Sequence, residues 1–244
     1  MAKKILVFGV SGGIHYNEIL SGIMIGYFVS HNVGTMTYVG QARDMILPFS
    51  QLKTDRVTLS NFDWSTLNDY DVIVTLGQIG WFDLRWDENG LRHFKYPPCP
   101  DNMNEEQVNA ILDFVRKGKG CVAIHTAGLR FNAAFNEMIG GGFVAHGPIH
   151  EFTVNIDDKT HPITQGLEPF TTTDELFFTE HDPSKIHVLL SAVDNGKTSP
   201  QAWVKPYGEG RVAYITLGHD QRTFQHPTFL KLVERSTRWA TREI

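Results

Sequence analysis

Three short runs of this chain are almost wholly apolar: Ile5 to Val10 within KKILVFGVSGG, residues 71–76 (DVIVTL), and the CVAI of CVAIH ending at His125. Such runs predict strands buried on both faces, since a half-exposed strand alternates apolar and polar residues. The intervening segments have the helical period. Glu18 to Ser30 carries apolar residues at helical spacing, with Asn17 as a candidate cap. Thr35 to Val39 predicts a further strand. Asn104 to Arg116 places Val108, Ile111, Leu112 and Val115 on one face and acids at its start, and KGKG ends it. Strand, helix and strand in alternation imply a parallel sheet wrapped by helices.

The second half differs. Segments 149–156, 176–179, 186–192, 201–205 and 211–216 predict strands with little helix between them, followed by a helix from Leu230 to Ala240 that packs Leu232, Val233 and Trp239. No repeat or Pro/Gly/Ser-rich linker divides the chain, so residues 1–244 form one α/β domain with an antiparallel or mixed extension. Its length allows roughly 70–75% of the unfolded surface to be buried. A net charge of −5 without blocks of like charge argues against a nucleic-acid partner. No run reaches the roughly 20 apolar residues of a membrane span. The N-terminal apolar stretch is too short for a signal peptide, so a cytoplasmic protein is expected. Two cysteines argue against both a disulfide scaffold and a Cys-rich zinc site.

Residues 78–100 (QIGWFDLRWDENGLRHFKYPPCP) are long for a connection in a compact domain. Trp81, Phe82, Trp86, Phe94 and Tyr96 suit two roles. One is a hydrophobic cluster or a contact between two copies of the chain, a homodimer. The other is a lid with a stacking platform for a sugar, with Gln78, Trp81 and Trp86 as substrate contacts.

Ligands of open parallel sheets bind beyond the carboxyl ends of the strands. Histidines stand at three such ends: His15 after the first strand, His125 after CVAI, and His219 before Asp220 after the last. His125 occupies a position resembling a nucleophile elbow. The thiol is missing there, because Cys121 lies four residues earlier inside the strand. Imidazole offers a base or a metal ligand instead. His146, at the end of the Gly-rich loop IGGGFVAH, is a further ligand or base, whereas His150 begins a strand. His161, His181 and His187 are assigned to turns and surface loops. Asp174 and Glu175 are adjacent at a strand entry, so one of them at most faces a site, and Glu175 is the candidate. No Walker loop or GxGxxG is present, so no nucleotide cofactor is expected.

Taken in order, CVAIHTA, GGGFVAH, HPITQGL, DELFF and GEGRVAYITLGHD resemble the ThuA-like family, named for trehalose utilisation. The resemblance covers most of residues 110–240. It implies a flavodoxin-like, three-layer sheet of the class I glutamine amidotransferase type, lost amidotransferase chemistry, and a connection with carbohydrate catabolism. Family members are associated with sugars or glycosides first oxidised to a keto form.

That implication, joined to the histidines, suggests metal-assisted proton transfer beside a sugar carbonyl. His15, His125, His146 and His219 are the candidate metal ligands. His125, His146, Glu175 and Asp220 are the candidate catalytic groups, Asp220 as orienter of an imidazole. The sequence does not separate ligand from base, nor zinc from manganese, iron or nickel. Isomerisation, β-elimination and hydrolysis share the first step. The alternative is a protein that binds a sugar or a partner without turnover.

Overall fold

The computed structural model describes residues 2–9, 17–40, 54–76, 103–129 and 132–244; His15, Gln78, Trp81 and Trp86, with the whole stretch 78–100, lie outside them. The strands are β1 (Lys4–Phe8), β2 (Thr35–Gly40), β3 (Asp55–Thr58), β4 (Val72–Thr75), β5 (Gly120–Ile124), β6 (Gly141–His146), β7 (His150–Ile156), β8 (Phe170–Asp174), β9 (Phe177–His181), β10 (His187–Asp194), β11 (Lys197–Tyr207) and β12 (Gly210–Ile215). The α-helices are α1 (Asn17–Ser30), α2 (Glu105–Arg116), α3 (Ala133–Ile139), α4 (Gln221–Gln225) and α5 (Pro227–Ala240).

Among the described residues, ten strands form one sheet in the order β3-β2-β1-β4-β5-β12-β11-β10-β7-β8, and β6 pairs with β9 in a separate ribbon. From β3 to β12 neighbouring strands are parallel. From β12 outward they are antiparallel. The stretch β2-β1-β4-β5-β12 has the strand order of flavodoxin-like sheets.

The apolar runs become central strands because both of their faces are covered. Ile5 and Val7 enter a core shared with Leu20, Met24 and Phe28 of α1 and Phe229, Leu232 and Val233 of α5. Leu6 and Phe8 point the other way, toward Val108, Ile111 and Val115 of α2 and Phe135 and Met138 of α3. Three layers result. The start of α2 is fixed by a reciprocal cap: Gln107 N donates to Asn104 Oδ1 at 2.9 Å, and Asn104 N donates to Gln107 Oε1 at 2.9 Å. In α5, Pro227 occupies the first turn, where a missing N–H costs nothing, and His226 caps it. The extension is covered on both faces at β11, where Ala202 and Val204 enter one core and Trp203 the other, and on one side only at its outer strands. Along β7, Phe152, Val154 and Ile156 are buried while the residues between them are exposed, the alternation of a one-faced antiparallel strand.

Three strands differ from the sequence expectation. The short β3 was not anticipated, the glycines of GGGFVAH form β6 instead of a loop, and FTTTD forms β8. Threonines hide β8, because Thr172 is buried and pairs its hydroxyl with that of Thr223 at 2.7 Å. Among the described residues no helix is long and apolar enough to cross a membrane.

Cys121 lies fully inside β5, and burial pushes its thiol up to about 12. A Cys99→Ser variant is therefore expected to show no reaction with a thiol reagent at neutral pH until urea unfolds it, with mass spectrometry as the readout. Rapid modification of Cys121 in the native protein would contradict this burial.

Candidate metal centre

At the carboxyl end of β5 the chain turns sharply. His125 has φ +47°, a left-handed conformation that costs a residue with a side chain about 1–2 kcal/mol. The turn is held by Tyr214, whose hydroxyl donates to the His125 carbonyl at 3.0 Å, and by Thr126, whose hydroxyl donates to the Leu76 carbonyl at 2.6 Å. The His125 side chain is buried, with its ring 4.3 Å from that of Phe177. Its Nδ1 lies 2.8 Å from the Thr216 carbonyl oxygen. A carbonyl only accepts, so Nδ1 carries the proton and Nε2 has the lone pair.

That Nε2 lies 3.3 Å from His219 Nδ1 and 3.6 Å from Glu175 Oε2, while His219 Nδ1 is 3.2 Å from the same Oε2. The three donors form a triangle, all within 4.8 Å of one another. Three ligands held about 2.1 Å from one tetrahedral cation stand about 3.4 Å apart. Separation, donor chemistry and the tautomer of His125 all fit a divalent cation. The carbonyl behind His125 is the usual backing of a ligating imidazole. The set of two imidazoles and one carboxylate suits zinc, and equally iron or other first-row metals.

Glu175 has its second oxygen on another histidine. Oε1 lies 3.6 Å from His146 Nε2, and His146 Nδ1 is 2.6 Å from the Gly147 carbonyl, which places the proton on Nδ1. His146 is the most open of the three imidazoles, with its side chain 38% exposed. Burial is the largest single influence on Glu175 and opposes its ionisation. The His219 hydrogen bond, and the attraction of His125, His219 and His146 whenever these rings are protonated, together outweigh it and hold its pKa below the ordinary carboxylate value. The hydrogen bond to Glu175 raises His219, against the opposing effect of burial.

Asp174 builds the frame. Its buried carboxylate accepts from four backbone amides: Gly218 at 2.7 Å on Oδ2, and Glu175, His219 and Asp220 at 2.9, 2.9 and 3.0 Å on Oδ1. One side chain thus clamps both Glu175 and His219. Gly218 has φ +117°, and a Cβ there would meet Phe224 at 2.9 Å, so glycine lets three consecutive amides turn toward Asp174. Burial raises the Asp174 pKa, and the Gly218, Glu175 and Asp220 amides with Thr223 pull it back.

The structure therefore brings together His125, His219 and Glu175, with His146 beside them. Of the acidic pair, Glu175 faces the imidazoles as expected, while the Asp174 carboxylate turns to the backbone amides that frame them. One expectation is corrected. Asp220 does not orient an imidazole through its side chain. Its carboxylate caps α4 at Arg222 N and pairs with the Arg222 guanidinium at 2.8 Å. His15, Gln78, Trp81 and Trp86 fall outside the described residues. Asp174, Thr216 and the ring of Phe177 were missed, and the one signal in the sequence was a second acid next to Glu175. His187 sits at the start of β10, where it pairs with Asp158 at 2.8 Å, and His161 lies in a turn.

Asp174→Asn would set an amide donor against the ring of backbone donors, and about 1–3 kcal/mol of stability should be lost in urea denaturation. Asp220→Asn keeps the cap and loses only a partly exposed ion pair, so it should stay within about 1 kcal/mol of the parent. Equal effects would remove Asp174 from its central role.

The geometry has relatives. No curated protein matches the sequence. A protein described as ThuA-like from Parabacteroides merdae shares the fold at a TM-score of 0.67 and 19% identity, over 99% of this chain and 90% of that one. Another, from Bacteroides uniformis, does so at 0.68 and 19%, over 98% and 91%. Agd3, described as a carbohydrate deacetylase, aligns at a TM-score of 0.59 and 14% identity with 99% of this chain but 32% of its own. At these identities the likeness establishes the fold. The profile of the ThuA family, described as trehalose utilisation, matches residues 29–240, and by that match the chain belongs to the ThuA family.

Proposed function

We propose that this protein is a metal-dependent carbohydrate enzyme that moves a proton at the carbon beside a sugar's carbonyl group. The observation that carries the proposal is the triangle of His125 Nε2, His219 Nδ1 and Glu175 Oε2 next to an open imidazole that is not part of it. The carbohydrate setting is supported by the family's description. The oxidised, keto form of the substrate is the finer part of the proposal.

When bound, a divalent cation supplies Lewis acidity toward the carbonyl oxygen, which acidifies the neighbouring C–H. His125, His219 and Glu175 hold it. His146 is the base, because Nδ1–H is committed to the Gly147 carbonyl and Nε2 is left to take the proton. Glu175 Oε1, 3.6 Å away, stabilises the imidazolium that forms. Phe143, half-buried with its ring centroid 5.6 Å from that of His146 and backed by the buried ring of Phe177, offers an apolar face to the C–H side of a sugar ring. Return of the proton from His146 to the neighbouring carbon, with a proton shift between the two oxygens, gives isomerisation; cleavage of the glycosidic C–O bond, with the imidazolium of His146 giving its proton to the departing oxygen, gives elimination. A small sugar as ligand and a cytoplasmic location go with this reading.

Hydrolysis of an acetylated sugar is the second reading. It is favoured by the same donor set, which also serves metal-dependent hydrolases, and by the shared fold of the deacetylase.

The test follows deuterium. A 3-keto-glycoside incubated in D2O with the zinc- or manganese-loaded protein should exchange the hydrogen beside its carbonyl, and a chelator should stop the exchange. His146→Gln should keep cation binding and lose exchange by about 10²–10⁴-fold, while His125→Ala should lose both. Acetate release from acetylated sugars without exchange would favour the hydrolytic reading. Sugar binding with neither product would favour a non-catalytic binding protein.

A further inference from the structure

A buried polar chain runs behind the metal centre, on strands that carry none of its ligands. Gln201 of β11 is fully buried, as is Thr216 just beyond β12, and Ser199 is nearly so. The Gln201 amide is fully used. Its Oε1 accepts from the Thr216 hydroxyl at 2.6 Å, and its Nε2 donates to the Phe177 and Ser199 carbonyls at 3.1 and 3.3 Å. The two carbonyls settle which end of the amide is nitrogen, since neither can donate. The Phe177 carbonyl also accepts from the Ser199 hydroxyl at 2.8 Å.

Both ends of this chain reach the centre. Thr216 offers the carbonyl that holds the proton on His125 Nδ1, and it lies three residues before His219. Phe177 lies two residues after Glu175, and its ring packs against that of His125. One amide therefore ties the backbone leading to His219 to the backbone leaving Glu175, and anchors both to the main sheet. The ribbon of β6 and β9 gains a fixed point at the same carbonyl, because Phe177 pairs with His146 across that ribbon.

We infer that Gln201 is a positioning residue of the metal centre, which through Thr216 sets the tautomer of His125 and through Phe177 sets the placement of Glu175 and His146. An amide is suited to the task. It accepts at one end and donates twice at the other, so it can join a hydroxyl to two carbonyls in a dry interior. A carboxylate would repel both carbonyls, and an apolar side chain would leave the Phe177 carbonyl to Ser199 alone and the Thr216 hydroxyl to its longer, 3.2 Å bond with the Gln201 main-chain carbonyl. The inference rests on the proposed cation centre for one of its consequences and is independent of it for the other.

The variants are Gln201→Met, which keeps the approximate volume, and Thr216→Val, which removes the hydroxyl and keeps the backbone carbonyl. The first readout needs no metal. Two-bond ¹H–¹⁵N spectra of the imidazoles should show His125 protonated at Nδ1 in the parent, and a mixture of tautomers in both variants. The second is affinity for Co²⁺ or Zn²⁺ in competition with a chelator, expected to fall about 10–100-fold. Folding is checked by near-UV circular dichroism, and if Gln201→Met does not fold, Thr216→Val decides. A folded variant with the parent's His125 tautomer and cation affinity overturns the inference. If the parent binds no cation but the tautomer responds as described, the positioning role stands and the metal reading fails.

Discussion

One carboxylate ringed by backbone amides holds the centre of this molecule. Asp174 accepts from Gly218, His219, Asp220 and its own neighbour Glu175, and among the described residues no basic side chain takes part in that ring of hydrogen bonds. Amide donors of this kind are preorganised partial charges, and in a dry interior they act more strongly than in water. Their effect is geometric. Two segments 40 or more residues apart in sequence become one rigid turn-on-turn unit that delivers a carboxylate and an imidazole to the same point.

The two halves of the sheet meet beside that unit. β12 pairs in parallel with β5 on one side and antiparallel with β11 on the other. Its carboxyl end is therefore where the flavodoxin-like parallel sheet adjoins the antiparallel extension. His125 arrives from the parallel side at the end of β5, with a strained φ maintained by Tyr214 and Thr126. Glu175 and His146 arrive from the extension. These groups are pinned by two kinds of contact: backbone carbonyls, of Thr216 behind His125 and of Gly147 beside His146, and the Asp174 carboxylate beneath His219 and Glu175. In the proposed reading, His125, His219 and Glu175 would hold a cation, and the more open imidazole of His146 would exchange a proton with a ligand.

The layered α/β architecture was legible in the sequence because it depends on local periodicity. Ile5 to Phe8 has no polar side to expose, and Val108, Ile111, Leu112 and Val115 occupy one helical face. The strands of the extension were found for the same reason wherever apolar alternation was strong. β8 and β6 were not found: threonine hydroxyls that satisfy one another look polar in a sequence, and glycines look like a loop. Three members of the site, His125, His219 and Glu175, were singled out from their positions at strand ends and beside an aromatic run. The pairing of Asp220 with Arg222 was a local, two-residue contact that the expectation of an orienting role passed over.

By itself the sequence determined which segments must be buried and on how many faces, and it placed histidines at the ends of buried strands. These follow from side-chain polarity at fixed backbone periods. The tertiary structure alone decided which nitrogen of His125 keeps its proton, that Asp174 serves as the clamp, and that Gln201 links Thr216 to Phe177. Those are long-range matches between donors and acceptors. No local pattern encodes them, because each partner satisfies its hydrogen bonds only when another strand has brought its counterpart within about 3 Å.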